Sequence, residues 1–71
     1  MKLISIDQAC GHTNVMVERS DIEYCIVISS YDDEKNAVYE NLTGKKIRKN
    51  SNRHEMFCYF AKSKLTQKAA A

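Results

Sequence analysis

The stretch that decides the fold is IEYCIVIS, residues 22–29. Its side chains alternate between two faces, with Ile22, Tyr24, Ile26 and Ile28 on one face and Glu23, Cys25, Val27 and Ser29 on the other. A period of two residues with many β-branched side chains predicts a strand. Because Cys25 and Val27 make the second face partly apolar as well, we expect this strand to lie at the centre of a sheet.

The residues before this strand predict two further strands. Residues 3–6 form a short apolar run, and residues 7–12 contain Gly11 and indicate a turn. Residues 13–18 alternate again, with Val15 and Val17 on one face. The polar break at residues 18–21 has the length of a hairpin turn, so we expect antiparallel pairing.

The residues after the central strand predict two helices. Ser30 can cap a helix over residues 31–43, which carries three acidic residues in its first turn and is followed by Gly44. Ala37, Val38 and Leu42 give this helix an apolar stripe at helical spacing. Residues 45–52 are interpreted as a loop or a short edge strand. A second helix is expected from Ser51 or Asn52, with an apolar face that consists of Met56, Phe57, Phe60, Ala61 and Leu65. Residues 56–60 also have the composition of a strand, so the pattern alone does not decide between helix and strand for residues 52–66. The predicted fold is α+β, a small three-stranded antiparallel sheet with two helices packed on one face.

The length of 71 residues limits the possible functions. We expect one small domain over residues 1–71, with residues 69–71 a tail or a cloning scar, and no room for separate cofactor and substrate domains. The apolar run at residues 3–6 is too short for a signal peptide or a membrane span, which predicts a cytoplasmic protein that does not enter membranes. Its three cysteines are then expected to be free thiols.

The net charge of +2 hides two regions of opposite charge. Residues 1–40 hold three basic and eight acidic residues, a net charge of −5, whereas residues 41–71 hold eight basic residues and one acidic residue, a net charge of +7. The candidate contacts with nucleic acid or an acidic partner are Lys45, Lys46, Arg48, Lys49 and Arg53. The candidate contacts with a basic partner are Asp32, Asp33, Glu34 and Glu40. The alternative is that both regions are simply solvated.

Cysteines and histidines offer a weaker set of candidates. Cys10 and His12 lie near the first turn, and His54 and Cys58 are four residues apart on the second predicted helix. These four side chains are weak candidates for a structural zinc site, because no Cys-x-x-Cys pair is present. A thiolate pair formed by Cys58 and His54 lacks a recognisable third group, so we predict no catalytic residue and no enzymatic activity.

The motifs identify no family. In its small size and in having one acidic and one basic region, the chain is similar to accessory proteins of phages and mobile elements. This analogy assigns no residues. The sequence therefore predicts a non-enzymatic binding module that modulates a larger, nucleic-acid-handling protein assembly. The alternatives are a direct, sequence-nonspecific DNA- or RNA-binding protein that uses residues 45–53, and a small zinc domain. We expect no cofactor, and the exposed sheet edges leave room for a homodimer.

Overall fold

A computed structural model of the chain describes the backbone of residues 1–70 and the side chains of residues 1–67. The four strands are β1 (Lys2–Ala9), β2 (His12–Arg19), β3 (Ile22–Ser29) and β4 (Ala37–Glu40), and the helix is α1 (Asn52–Ala70). The strands form one antiparallel sheet in the order β1-β2-β3-β4. The expected tail at residues 69–71 ends in Ala71, which lies outside the described residues.

Two-residue turns connect the first three strands. Ser20 and Asp21 join β2 to β3, and both have positive φ angles, of 54° and 66°. This pair of angles matches the right-handed twist of the strands on either side. Cys10 and Gly11 join β1 to β2, and Gly11 has a φ of 82° that favours glycine.

The core lies between α1 and one face of the sheet, which we call the helix face. The alternation that the sequence predicted for β2 and β3 is confirmed, because the helix face consists of Val15, Val17, Tyr24, Ile26 and Ile28, all buried. Val38 of β4 is fully buried on the same face, opposite Ile26. The other face, which we call the open face, has no helix packed on it within residues 1–70.

The prediction of a three-stranded sheet with two helices is wrong, since residues 1–70 form four strands and one α-helix. The segment 31–43 does not form a helix. Its acidic residues cap only a single 3₁₀ turn at Asp33–Lys35, where the Asp32 carboxylate accepts a hydrogen bond from the Glu34 amide at 3.0 Å. The chain then leaves helical geometry at Asn36, whose side-chain oxygen accepts a hydrogen bond from the Ser29 amide at 2.7 Å.

Strand pairing explains why β4 replaces the predicted helix. Without β4, the backbone groups along the outer edge of β3 would have no partner, and unpaired buried backbone groups are costly. Ala37 and Val38 pair with Val27 and Ile26 and are both buried, Ala37 on the open face and Val38 on the helix face. Leu42, which the predicted helix would have buried, is 96% exposed.

The segment after β4 forms a further short pairing. Gly44 has a φ of 72° and belongs to the turn after β4 instead of ending a helix. The amide of Ile47 donates to the Val38 carbonyl at 2.8 Å, and the Glu40 amide donates to the Lys45 carbonyl at 2.9 Å. Residues 45–47 therefore lie along the outer edge of β4, as the edge-strand interpretation expected.

The second predicted helix is confirmed. The Ser51 hydroxyl accepts a hydrogen bond from the His54 amide at 3.2 Å, so Ser51 caps α1. Phe57 and Ala61 of the predicted apolar face are fully buried, and Met56, Phe60 and Leu65 are partly buried against the core. Among residues 1–70, no helix is both long enough and apolar enough to cross a membrane.

Candidate binding surfaces

The five basic residues of the segment 45–53 lie on an ordered part of the fold. We call them the basic ridge: Lys45, Lys46, Arg48, Lys49 and Arg53. All five are exposed, whereas Ile47 in their midst is buried in the core. The backbone pairing with β4 and the burial of Ile47 fix the path of the chain. The ridge is therefore held by the fold as a positively charged border of the sheet.

The side chains of the ridge differ in what they contact. The Arg53 guanidinium donates to the Tyr24 hydroxyl at 3.0 Å and lies 6.0 Å from the centre of its ring. Lys49 donates from its ammonium group to the backbone carbonyl of Glu34. Within the described side chains, Lys45, Lys46 and Arg48 make no side-chain hydrogen bond or ion pair. These three cations are the ones available to a partner without breaking an internal contact.

The acidic turn contacts the basic half of the chain. Asp33 forms an ion pair with Lys62 of α1 at 3.3 Å, and both side chains are largely exposed. Lys49 binds the backbone of the same turn. Two of the three acidic candidates in this turn have internal roles, because Asp32 caps the 3₁₀ turn. The acidic region 1–40 and the basic region 41–71 are therefore in contact at this turn.

Glu40 lies away from the acidic turn, at the opposite end of β4. The pairing of β3 with β4 places Glu40 opposite Tyr24, and the Asn41 amide donates to the Glu23 carbonyl at 2.9 Å. Glu40, Glu23 and Asp21 line an open concavity of about 360 Å³ together with the exposed side chains of Ile22 and Leu42. Sequence inspection missed Asp21 and Glu23, because only the register of β3 and β4 brings them to Glu40.

The thiol and imidazole on α1 are close but poorly aligned for proton transfer. The Cys58 sulfur lies 3.8 Å from Nδ1 and 3.9 Å from Nε2 of His54. A sulfur equally far from both nitrogens is not on the lone-pair direction of either. Burial raises the pKa of the Cys58 thiol, an effect that Lys62 partly opposes and Asp33 reinforces. The thiolate that nucleophilic chemistry requires is therefore disfavoured.

The candidate metal ligands do not converge. Cys10 is exposed in the β1–β2 turn and His12 begins β2 on the open face, opposite Ser29. His54 and Cys58 are buried on α1 and border a shallow concavity with Asn36 and Asp33. Within the described residues, no three Cys, His, Asp or Glu side chains are placed to hold a metal ion. The geometry therefore gives the proposed zinc site no support.

Comparison of the chain with models of protein families, with curated proteins and with solved structures finds no match.

Proposed function

We propose that this protein is a non-enzymatic binding module that modulates a larger, nucleic-acid-handling protein assembly, with the basic ridge as its main contact surface. The observation that carries the proposal is the fixed backbone of the ridge, which Ile47 anchors in the core while all five cations stay exposed. A preformed surface loses less conformational entropy on binding than a flexible loop of the same charge. An acidic face of a partner protein is the complementary surface.

The acidic concavity supports contact with a second, basic element of the same assembly. It combines three carboxylates with two exposed aliphatic side chains, Ile22 and Leu42. Lysine and arginine side chains carry an aliphatic stem and a charged head, and they can contact both kinds of group at once. The concavity and the ridge lie next to each other along the chain, because residues 41–44 connect Glu40 to Lys45.

The test is affinity capture from an extract of the source cells with three forms of the protein. The forms are the wild type, a ridge variant with Lys45→Gln, Lys46→Gln and Arg48→Gln, and a control variant with Arg19→Gln, Lys35→Gln and Lys64→Gln. Both variants lose two lysines and one arginine, so they have the same net charge. Nuclease treatment of half of each sample removes contacts that pass through nucleic acid.

We expect the wild type and the control variant to retain the same stoichiometric protein after nuclease treatment, and the ridge variant to lose it. Loss of more than nine-tenths of the captured partner corresponds to about 1.4 kcal/mol, within the range for three rim charges. Equal retention by the ridge and control variants would show that the ridge is not the contact surface.

Direct binding to nucleic acid is the second candidate function. The observation that favours it is the position of the ridge beside the N-terminus of α1, which begins at Asn52 and adds a partial positive charge. Three cations without internal partners could each neutralise a phosphate. This contact would be independent of sequence, because phosphates are the same in every nucleotide.

A salt titration of binding to a labelled oligonucleotide tests the second candidate. For the wild type we expect the logarithm of the association constant to fall linearly with the logarithm of salt concentration, with a slope of about −0.7 to −0.9 per phosphate contacted. The ridge variant should have a slope that is shallower by about two to three units, and the control variant should match the wild type. A wild-type protein that does not bind at low salt would rule out this function.

A further inference from the structure

The two edges of the sheet differ in how they are covered. The outer edge of β4 is paired with residues 45–47 through the bridge between Tyr39 and Lys46 and the bond from Ile47 to Val38. The outer edge of β1 has no strand paired with it within residues 1–70. An eight-residue strand with free backbone donors and acceptors is a template for pairing with another strand.

A β-bulge in β1 determines which side chains share a face. Leu3 pairs with Val17 and Ser5 pairs with Met16, so Ile4 is an extra residue in the strand. As a consequence, Leu3 and Ile6 lie on the helix face and are partly buried against the core. Lys2 and Asp7, five residues apart, both lie on the open face, because they pair with Glu18 and Asn14. In a regular strand, residues five apart would lie on opposite faces.

We propose that two copies of this chain associate through β1, as an antiparallel pair in which the numbers of opposing residues add up to nine. Lys2 of each copy then lies opposite Asp7 of the other, and Leu3 lies opposite Ile6. The two four-stranded sheets form one sheet of eight strands, with both copies of α1 on the same face. The occupant of the free edge is thus a second copy.

The charges of the β1 side chains, together with the sheet face on which each side chain lies, favour this register over the others. It joins opposite charges twice, once at each end of the paired segment, and joins apolar side chains twice on the helix face. A shift of one residue places Leu3 opposite Ser5 or Asp7, which lie on the other face. A shift of two residues in one direction places Ser5 opposite Ile6, and these two residues lie on different faces. A shift of two residues in the other direction moves Asp7 of the second copy away from Lys2, so the opposite-charge pair is lost.

The exposed apolar surface of β1 supports the same pairing. Ile4 is 46% exposed, and Leu3 and Ile6 are only partly covered by their own copy. In the proposed register, Ile4 faces Ser5 of the second copy at the centre of the interface. The basic ridge lies at the other edge of the sheet, so this association does not depend on the proposed function.

The test uses charge reversals that complement each other between copies. The Lys2→Asp variant presents two carboxylates on β1, and the Asp7→Lys variant presents two ammonium groups. In either variant alone the like charges face each other, whereas a mixture restores two opposite-charge pairs per interface. Lys2 and Asp7 are both exposed, so we expect both variants to fold, with a small loss of stability in Lys2→Asp because the new carboxylate lies opposite Glu18 of β2. Sedimentation equilibrium measures the mass, and far-UV circular dichroism confirms the fold.

We expect the wild type to approach twice its mass of 8.2 kDa as its concentration rises. Each single variant should dimerise with a dissociation constant at least about tenfold higher, and an equimolar mixture should regain the wild-type constant. Reversals away from β1, Lys35→Asp and Glu55→Lys, should leave the constant unchanged. Ile4→Lys, a second probe at the exposed centre of the edge, should also prevent dimerisation.

Two outcomes would overturn the proposal. The first is a wild-type protein that remains monomeric at millimolar concentration. The second is a mixture of the two reversal variants that associates no better than either variant alone, which would show that Lys2 and Asp7 do not face each other.

Discussion

Phe57 packs α1 against the sheet. Its side chain is fully buried and its ring centre lies 4.5 Å from that of Tyr24 on β3, in a tilted arrangement. Phe57→Ala should lower the free energy of unfolding by about 3–5 kcal/mol, through lost burial and the cavity that remains. A chain of this size has only about 4–11 kcal/mol in total.

Urea unfolding followed by circular dichroism measures this loss. Tyr59→Ala is the control, because Tyr59 lies two residues further along α1 and is 78% exposed. We expect it to change the free energy of unfolding by less than about 0.5 kcal/mol. Similar losses for the two variants would mean that Phe57 is not the packing centre.

The three cysteines differ in exposure, and their reactivity should follow it. Cys10 is exposed in the β1–β2 turn, Cys25 is half-buried on the open face, and Cys58 is buried. Burial raises the pKa of both the Cys25 and the Cys58 thiol. A disulfide reagent at neutral pH should therefore react fast with Cys10 and slowly with Cys25 and Cys58, because only the thiolate form reacts.

The Cys10→Ser variant identifies the fast thiol. We expect this variant to lose the fast phase, and all three thiols of the wild type to react alike in denaturant. The raised thiol pKa values also set the sign of a pH effect. Below about pH 8.5, the ordinary thiol pKa, both thiols are protonated in the folded and in the unfolded chain, and the stability that they contribute is fully present. As pH rises from there through the higher folded-state pKa values, that stability is lost and the free energy of unfolding falls. A fast phase that persists in Cys10→Ser would contradict the order of exposure.

At the scale of elements, glycine should stabilise both hairpin turns, so adding it to one turn and removing it from the other should have opposite effects. Ser20 and Asp21 both adopt positive φ, which favours Asn-Gly in a two-residue hairpin turn. The variant Ser20→Asn with Asp21→Gly should gain about 1 kcal/mol, or a melting temperature higher by about 4–8 °C. Gly11→Ala should lose about 1 kcal/mol. Its added methyl group would lie 3.6 Å from Tyr31, an ordinary contact, so the loss comes from the backbone.

Thermal unfolding of the two turn variants measures whether each one raises or lowers the melting temperature. The backbone argument would be wrong if Gly11→Ala were neutral, or if the Asn-Gly turn lowered the melting temperature. Because both turns lie on the surface, we expect the two changes to be additive when they are combined.

The same elements show what could be predicted from the sequence. β3 was predictable, since it has a period of two that burial then follows. The face of α1 was predicted only in part: Phe57 and Ala61 are buried as expected, but so are His54 and Cys58, which the predicted face did not include. The segment 31–43 was not predictable, because its helical stripe of Ala37, Val38 and Leu42 competes with the need of β3 for a partner strand. Local patterns do not contain that long-range requirement. Asp32 does cap a turn, but the turn ends after three residues.

At the scale of the whole molecule, the candidate surfaces were predictable only in part. The ridge follows from the run of basic residues, and the structure adds that Ile47 anchors it. The ion pair between Asp33 and Lys62 joins the acidic and basic regions, which sequence separation alone would keep apart. The grouping of Glu40 with Glu23 depends on strand register, and so does the placement of Lys2 and Asp7 on one face.

At the scale of the whole molecule, α1 covers the helix face of the sheet, so we expect cooperative unfolding to depend on it. The sheet has only one covered face within the described residues, and the largest fully buried side chains of that face are Val15, Val17, Ile26 and Val38. A fragment of residues 1–50 would expose them all, and a small sheet without a covered hydrophobic face is at best marginally stable. We expect this fragment to show no cooperative thermal transition and to bind a hydrophobic dye. Adding a peptide of residues 51–71 should restore strand signal in circular dichroism and reduce dye binding, whereas the same peptide with Phe57→Ala should not. A fragment that unfolds cooperatively by itself would show that the meander of strands is stable without the helix.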